Sequence, residues 1–434
     1  MSTIDPRSLA KSLVSKKRPR AQGAASIASK MTQDVTPLGR SFDDHPGILE
    51  LLDTDKYLND KQIHNPYFSA WSERNGAKLL IDGQWKINYS SYNYLDMAGD
   101  PDLAAAAKDA IDKYGTSVSA ARVVSGQIPL YEEIEAEFAD FFGTEDALIF
   151  VSGFLTNVST IGYLFTEKDL IVHDSLIHNS MVSGALMSRA HRLTHAHNDP
   201  EALEKILRIH RNKYERCVVL TEGVYSMDGD FGNVKALIDV AHKYECSVML
   251  DEAHSLGTIG KTGRGVQEAM RVKPDDVEIW MGTLSKSLGS VGGYIAGNRK
   301  LIENLRYNAP GAALYCAPIP PPTCAAALCA LHKLKTETWR VEKLQANSAY
   351  FLKRANELGL NTGISNGTAI IPIMTGDTVT ALELSARLNT QGINVHAIFY
   401  PVVPEGEARL RFFINSSHTR AEMDFTLDKI AENI

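Results

Sequence analysis

What this sequence has little of narrows its class before any motif is read. No apolar run approaches the ~18 residues that a membrane-crossing helix needs, so no membrane span is expected. There are only five cysteines, Cys217, Cys246, Cys316, Cys324 and Cys329, odd in number and without a CxxC pair. That excludes a disulfide scaffold, calls for no metal, and fits a reducing compartment with mostly buried thiols. Positive charge is not in excess: Lys plus Arg total 45 against 52 for Asp plus Glu, a formal net charge of −7. A global nucleic-acid surface is thereby disfavoured, and no nucleic-acid partner is expected. Internal repeats are absent, and 31 glycines in 434 residues leave Gly near its ordinary ~7%. Collagen-like and wholly disordered chains are ruled out.

What is present begins with a contrast. Residues 1–31 are rich in Ser, Ala, Lys and Arg, carry Asp5 as their one acidic residue, and contain Lys16-Lys17-Arg18-Pro19-Arg20. Three readings stay open: a flexible polar arm, an organellar transit peptide, or a basic nucleic-acid or nuclear-targeting patch. No apolar signal-peptide core exists here, so a cytoplasmic protein is expected, with the transit peptide as the alternative. From Pro46 the texture is globular. A helical stretch over 47–57 leads to two short strand-like runs within 78–88 about the Asp82-Gly83 turn. Strand runs at 147–151, 170–173, 217–221, 247–250, 278–281 and 293–296 then alternate with helical stretches such as 128–142, 201–210 and 234–244. Continuous apolar strands bracketed by helices predict a mainly parallel sheet covered on both faces. After Pro318-Ile319-Pro320-Pro321-Pro322 come helices over 323–334 and 341–358, then runs at 369–373, 381–389 and 410–414, a smaller α+β domain. The expected segments are a flexible arm (1–45), an N-terminal segment (46–92), a large α/β domain (93–315) and a small C-terminal domain (316–434).

In open α/β sheets, ligands bind beyond the carboxyl ends of the strands. The first run leads into Ser152-Gly153-Phe154 and a helix, whose free N–H groups would hold an anion; a plain capping turn accounts for the same residues. Run 247–250 ends in Asp251-Glu252-Ala253-His254. A carboxylate there suits a protonated ring nitrogen, and a histidine three residues on reaches the same ligand. Asp-Glu-Ala-His is also a helicase acidic box, but a helicase needs an earlier phosphate loop. The nearest match, Ser255-Leu-Gly-Thr-Ile-Gly260-Lys261-Thr262, lacks the first glycine and comes after the box. Run 278–281 ends in Gly282-Thr283-Leu284-Ser285-Lys286. Desolvation lowers a lysine's pKa and makes it a Schiff-base former, and the hydroxyls of Thr283 and Ser285 suit a phosphate. Ser-Lys hydrolase chemistry is the competing reading, and it leaves Asp251 without a role. Phosphate cup, carboxylate and cleft lysine on successive strand ends together describe a pyridoxal 5'-phosphate site, the lysine joined to the cofactor and the Asp keeping its pyridine nitrogen protonated.

With those residues in hand, the chain resembles the α-oxoamine synthase family of pyridoxal phosphate enzymes. The resemblance rests on Asn88-Tyr-Ser-Ser-Tyr-Asn93-Tyr-Leu, Val124-Ser125-Gly126, Ser152-Gly-Phe-Leu-Thr-Asn157, Thr221-Glu-Gly-Val-Tyr-Ser-Met-Asp-Gly-Asp230, Asp251-Glu-Ala-His254, Gly263-Arg-Gly265, Thr283-Leu-Ser-Lys286 and Ala408-Arg-Leu-Arg411. It covers the chain from about Asp44 to the C-terminus. It implies the type I fold of pyridoxal phosphate-dependent transferases, with the cofactor in the 93–315 domain. Lys286 is implied as the Schiff-base lysine and the proton shuttle at the substrate Cα, Asp251 as partner of the pyridine nitrogen, and His254 as partner of the phenolic oxygen. His178 would stack on the ring; a helix-surface histidine is the bland alternative. Gly153, Phe154, Ser226 and Thr283 would line the cofactor, with Ser285 a further phosphate contact. Arg411 would clamp the amino acid carboxylate, Arg409 would be structural, and Asn93 would lie near the substrate. The implied reaction is a decarboxylative Claisen condensation of an amino acid with an acyl thioester, carried by CoA or an acyl-carrier protein, to give an α-aminoketone. A homodimer with its site between subunits is implied as well.

Departures from the family pattern are informative. Val118, Ala120 and Ala121 replace small flexible residues in the turn before Ser125-Gly126, and Val402 stands where some relatives carry Thr. Cys316, Ala317 and Pro318 occupy the place of a hydroxyl expected to reach the partner subunit's phosphate. With the N-terminal arm, these suggest a specialised synthase fed by a carrier-bound thioester. An aminotransferase or aldolase of the same fold, or a silent partner subunit, are the alternatives.

Overall fold

The computed structural model describes residues 39–61, 65 and 67–434. The basic run at 16–20 and the three readings attached to the arm lie outside the described residues. The described residues up to Ser69 form a unit of their own. It contains helix α1 (Pro46–Asp60), started by Pro46 and capped by His45, whose Nδ1 accepts from Gly47 N at 3.1 Å.

From Ala70 onward the chain forms a second unit. Strands β1 (Trp71–Asn75), β2 (Lys78–Ile81) and β3 (Gln84–Asn88) make an antiparallel meander, with Asp82 and Gly83 both at positive φ in the β2–β3 turn. Two helices follow, α2 (Pro101–Tyr114) and α3 (Pro129–Phe142), each with Pro in its first turn. The central sheet comprises β4 (Asp146–Phe150), β5 (Leu170–Asp174), β6 (His191–His195), β7 (Cys217–Glu222), β8 (Ser247–Asp251), β9 (Ile279–Thr283) and β10 (Gly293–Gly297), in the order β4-β10-β9-β8-β7-β5-β6. Only β10 runs against the rest. Helices α4 (Gly153–Leu164), α5 (Asn179–Ser188), α6 (Pro200–His210), α7 (Val234–Lys243) and α8 (Arg299–Asn308) accompany it. All six residues of β7 and all five of β5 and β9 are buried, as a doubly covered parallel sheet requires. The core joins Leu148, Ile171, Val218, Met249 and Met281 from the strands to Ile161 and Met181 from the helices.

The remaining elements are α9 (Pro321–Thr336), α10 (Trp339–Glu357), β11 (Ile370–Gly376), α11 (Thr378–Thr390), β12 (Ile393–Asn394), β13 (Ala397–Ile398), β14 (Ala408–Phe413) and α12 (Arg420–Asn433). Strands β11, β14 and β13 form a three-stranded sheet. Strand β12 pairs in parallel with β3, Ile393 opposite Ile87, so the meander's sheet is completed by the C-terminal part of the chain. The fold is thus α/β with a mainly parallel seven-stranded sheet and a smaller C-terminal α+β part.

Two consequences matter for chemistry. The chain passes from β4 at one edge to β5 and β6 at the other and then returns through β7, β8, β9 and β10. The residues just past β4, β5, β7, β8 and β9 therefore all lie along one carboxyl edge of the sheet. Strand β14 is the second consequence, since it carries Arg411 to within hydrogen-bond reach of the loop after β7.

Candidate active site

Helix α4 begins where β4 ends. Ser152 caps it, its Oγ accepting from Leu155 N at 3.1 Å, which leaves the N–H groups of Gly153 and Phe154 pointing out of the first turn. Gly153 is forced by packing, because a Cβ there would stand 2.8 Å from Thr283 Oγ1 and 3.0 Å from Thr283 Cβ. Thr283, at the end of β9, shares its hydroxyl with Ser285 Oγ at 2.8 Å and donates to Gly292 O at 3.0 Å. Two N–H groups at a helix start facing two hydroxyls make a cup for a phosphate. The Phe154 side chain is about half exposed, so its contribution at the cup is its backbone.

The acidic end is built from β8. Asp251 Oδ1 accepts from Ala253 N at 2.8 Å and Oδ2 from Asn157 Nδ2 at 3.0 Å. A carboxylate has about four lone-pair positions, so room remains for a ring N–H. The same Asn157 amide donates to Ser180 Oγ at 2.9 Å, and Ser180 Oγ lies 2.7 Å from His178 Nδ1. Glu222, fully buried at the end of β7, accepts from the backbone N–H of His178 and fixes the start of α5. Burial, then the nearby Asp251, hold Glu222 well above the usual carboxylate range.

Between these ends stands Lys286. Burial pushes its ammonium down to about 8, with Asp251 and Glu222 opposing and Arg411 reinforcing. Its Nζ lies 2.7 Å from His254 Nε2 and 5.7 Å from the centre of the Tyr92 ring. His254 meets the Tyr94 hydroxyl at 2.8 Å through Nδ1. Arg411 reaches in from β14, Nη1 donating to Ser226 O at 3.0 Å, with its guanidinium 4.6 Å over the Phe413 ring. Its buried Nε has no hydrogen-bond partner among the described residues, while Nη1 also meets Met227 Sδ at 3.1 Å and the guanidinium interacts with Tyr92. Arg409 points the other way, fully buried and paired with Asp228 and Glu407.

Hydrogen bonds join Lys286 to His254, Asp251 to His178 through Asn157 and Ser180, and Arg411 to Ser226 O; the charges of Asp251 and Arg411 both act on Lys286, and Gly153, Thr283 and Ser285 meet at the cup. Asn93 is the exception: its amide donates to Asp96 Oδ1 at 3.2 Å and accepts from Ala98 N at 3.0 Å, which commits it to its own turn. The residues flanking it, Tyr92 and Tyr94, are the ones that reach Lys286 and His254. Sequence reasoning singled out neither of these, nor Asn157, Ser180 or Glu222, although most stand inside the motifs it quoted. It also passed over His197, whose ring bridges Asp174 Oδ1 and Asp230 Oδ2, both at 2.9 Å. Those hydrogen bonds and charges outweigh desolvation and raise His197 to about 10. Phosphate cup, carboxylate with a free lone pair, depressed lysine and orphan guanidinium donor all fit pyridoxal phosphate carrying an amino acid.

The aminotransferase class I and II family matches the chain over residues 85–430. The 8-amino-7-oxononanoate synthase of Fervidobacterium nodosum is 37% identical over 376 residues, 86% of this chain and 92% of that protein. Its namesake from Thermoanaerobacter pseudethanolicus is 37% identical over 352 residues, 81% and 88% of the two chains. Among solved structures, serine palmitoyltransferase of Sphingomonas wittichii superposes with a TM-score of 0.86 at 29% identity, covering 90% of this chain and 98% of that one. The 8-amino-7-oxononanoate synthase of Francisella tularensis gives 0.70 at 26% identity, covering 80% and 97%.

Proposed function

The chain belongs to the aminotransferase class I and II family and, within it, to the α-oxoamine synthases, and from that premise we propose how its own residues divide the work. It is a pyridoxal phosphate-dependent acyltransferase that condenses an amino acid with an acyl thioester to give an α-aminoketone, carbon dioxide and free thiol. When bound, the cofactor supplies an electron sink for the pair left at the amino acid's Cα.

Holding the cofactor falls to the cup of Gly153, Phe154, Thr283 and Ser285 at its phosphate, Asp251 at its ring nitrogen, His254 at its phenolic oxygen, His178 at its ring face and Lys286 at its carbonyl carbon. Arg411 binds the amino acid carboxylate. The observation that carries this role is its unpartnered buried Nε beside an Nη1 already fixed on Ser226 O, a planar donor edge available to a carboxylate. Lys286 takes the Cα proton and later returns one. Its lowered pKa gives it a neutral, proton-accepting fraction near pH 7, which an ordinary lysine lacks. Asn93 keeps the turn that carries Tyr92 and Tyr94 in shape.

We also assign a homodimer with its site near the subunit boundary, and the 93–315 and 316–434 segments as cofactor-binding and small domains. Val124 and Tyr315 are 79% and 83% exposed, large apolar surfaces that a lone subunit rarely presents together. Their segments meet each other and α4, since Ser159 of α4 donates to Pro310 O and Val123 N to Ala313 O. All five cysteines are free, in keeping with a cytoplasmic location. The test of the reaction is absorbance of the cofactor-loaded protein, titrated with glycine, alanine and serine and then with acyl thioester. A new long-wavelength band that requires thioester supports condensation, whereas one that requires a 2-oxo acid supports amino transfer. Supplying the acyl group on CoA and on a carrier protein tests the carrier preference, and equal turnover of the two counts against it.

A further inference from the structure

His254 is engaged at both ring nitrogens: Nδ1 lies 2.8 Å from the buried Tyr94 hydroxyl, and Nε2 lies 2.7 Å from Lys286 Nζ. Burial, then the Lys286 and Arg411 charges, hold the imidazole well below its ordinary range, so it is neutral and carries one N–H. Where that proton sits depends on Tyr94. The Tyr94 side chain is fully buried, and burial keeps its phenol protonated. Among the described residues its hydroxyl has no hydrogen-bond partner other than His254 Nδ1. If Nδ1 held the imidazole proton, the phenol's own proton would be buried without an acceptor, an arrangement costing about 1–3 kcal/mol.

We infer that Tyr94 is a positioning residue that donates to Nδ1 and so fixes His254 in the tautomer that presents Nε2–H to the cleft. Resting on the functional reading above, this gives His254 two uses of one proton. It donates to the cofactor's phenolic oxygen when cofactor is bound, and to the Lys286 lone pair when that amine is free, which favours the neutral amine. The other groups that bear on Lys286 and His254 are Asp251, Glu222, Arg411 and His178, with the Tyr92 ring beside Nζ. None of them contacts His254 Nδ1, so once Lys286 is neutral and can accept at Nε2 the tautomer rests on Tyr94.

The test is Tyr94→Phe, read first in cofactor-free protein by the nitrogen-15 spectrum of the histidine rings. At a pH above the Lys286 value of about 8, where that amine is neutral, wild type is expected to show His254 Nδ1 as a bare lone-pair nitrogen and Nε2 as an N–H. In Tyr94→Phe the proton redistributes toward Nδ1. The second readout is the pH dependence of pyridoxal phosphate capture, whose midpoint reports Lys286. The variant is expected to move it up by about one unit and to slow capture near pH 7 by roughly tenfold. In a His254→Gln background, adding Tyr94→Phe should move the midpoint no further, which a merely structural tyrosine would not satisfy. Should Tyr94→Phe fail to fold, 3-fluorotyrosine at position 94, a stronger donor, is expected to shift the midpoint down. An unchanged nitrogen pattern, an unmoved midpoint, or an equal shift without His254 overturns the proposal. Failure of wild type to capture cofactor at all would instead strike the functional reading and leave the tautomer measurement standing.

Discussion

At the scale of single residues, charge and space decide function. The Arg411 fork should set amino acid affinity, so Arg411→Ala is expected to raise the amino acid KM on the order of 100-fold while leaving the thioester KM nearly unchanged. Initial rates with each substrate varied in turn check this, and an unmoved amino acid KM would contradict it. Gly153→Ala drives a Cβ into Thr283, so cofactor affinity should fall tenfold or more, measured by equilibrium dialysis of pyridoxal phosphate. Lys286 makes a prediction about pH. Its folded pKa of about 8 lies below the ordinary lysine value of 10.5, so the folded protein gives up this proton first. The stability of cofactor-free protein should therefore rise with pH between those values relative to Lys286→Met, by up to ~3 kcal/mol across the window. Urea unfolding of the two proteins at pH 7, 9 and 10.5 reads the difference, and a pH-independent gap would contradict it.

At the scale of elements, what matters is how loops are pinned to strand ends. His197 ties Asp174 at the end of β5 to Asp230 in the loop that carries Ser226. The folded pKa is raised from 6.5 to about 10, so its stabilisation is complete below about pH 6.5 and is lost as pH rises through about 10. His197→Gln should thus cost on the order of 3 kcal/mol near pH 6 and progressively less toward pH 10. A loss that is flat over that range would remove the charged bridge from the account. This scale also shows what was legible beforehand. The strands at 170–173, 217–221 and 247–250 were readable because parallel strands buried on both faces are unbroken apolar runs. Strand β6 was missed because His-Arg-Leu-Thr-His sits at a sheet edge, pairs only with β5, and needs no apolar run. The pairing of β3 with β12 joins residues some 300 positions apart and leaves no local trace. At the site, Lys286, Asp251 and His254 were legible because Asp251 ends β8 and His254 and Lys286 each stand three residues past a strand end. Asn157, Ser180 and Tyr94 act only through another side chain, a relation that appears once the chain is folded.

At the scale of the whole molecule, the site draws on residues from β4 to β14, so its integrity depends on the central sheet and the C-terminal part together. Dimer formation is a property of this scale. Val124→Asp places a charge on an apolar side chain that is 79% exposed, and is expected to yield monomers by sedimentation with weakened cofactor binding. A variant that stays dimeric and fully loaded would move the interface elsewhere. The measurement that tests the central claim most directly follows carbon and sulfur together. Cofactor-loaded protein is given an amino acid labelled at its carboxyl carbon and an acyl thioester, and labelled carbon dioxide and free thiol are counted. The account predicts equal amounts of both, each requiring the other substrate, with an α-aminoketone as the organic product. Thiol release without labelled carbon dioxide, or loss of the amino group to a 2-oxo acid with the thioester untouched, would contradict it.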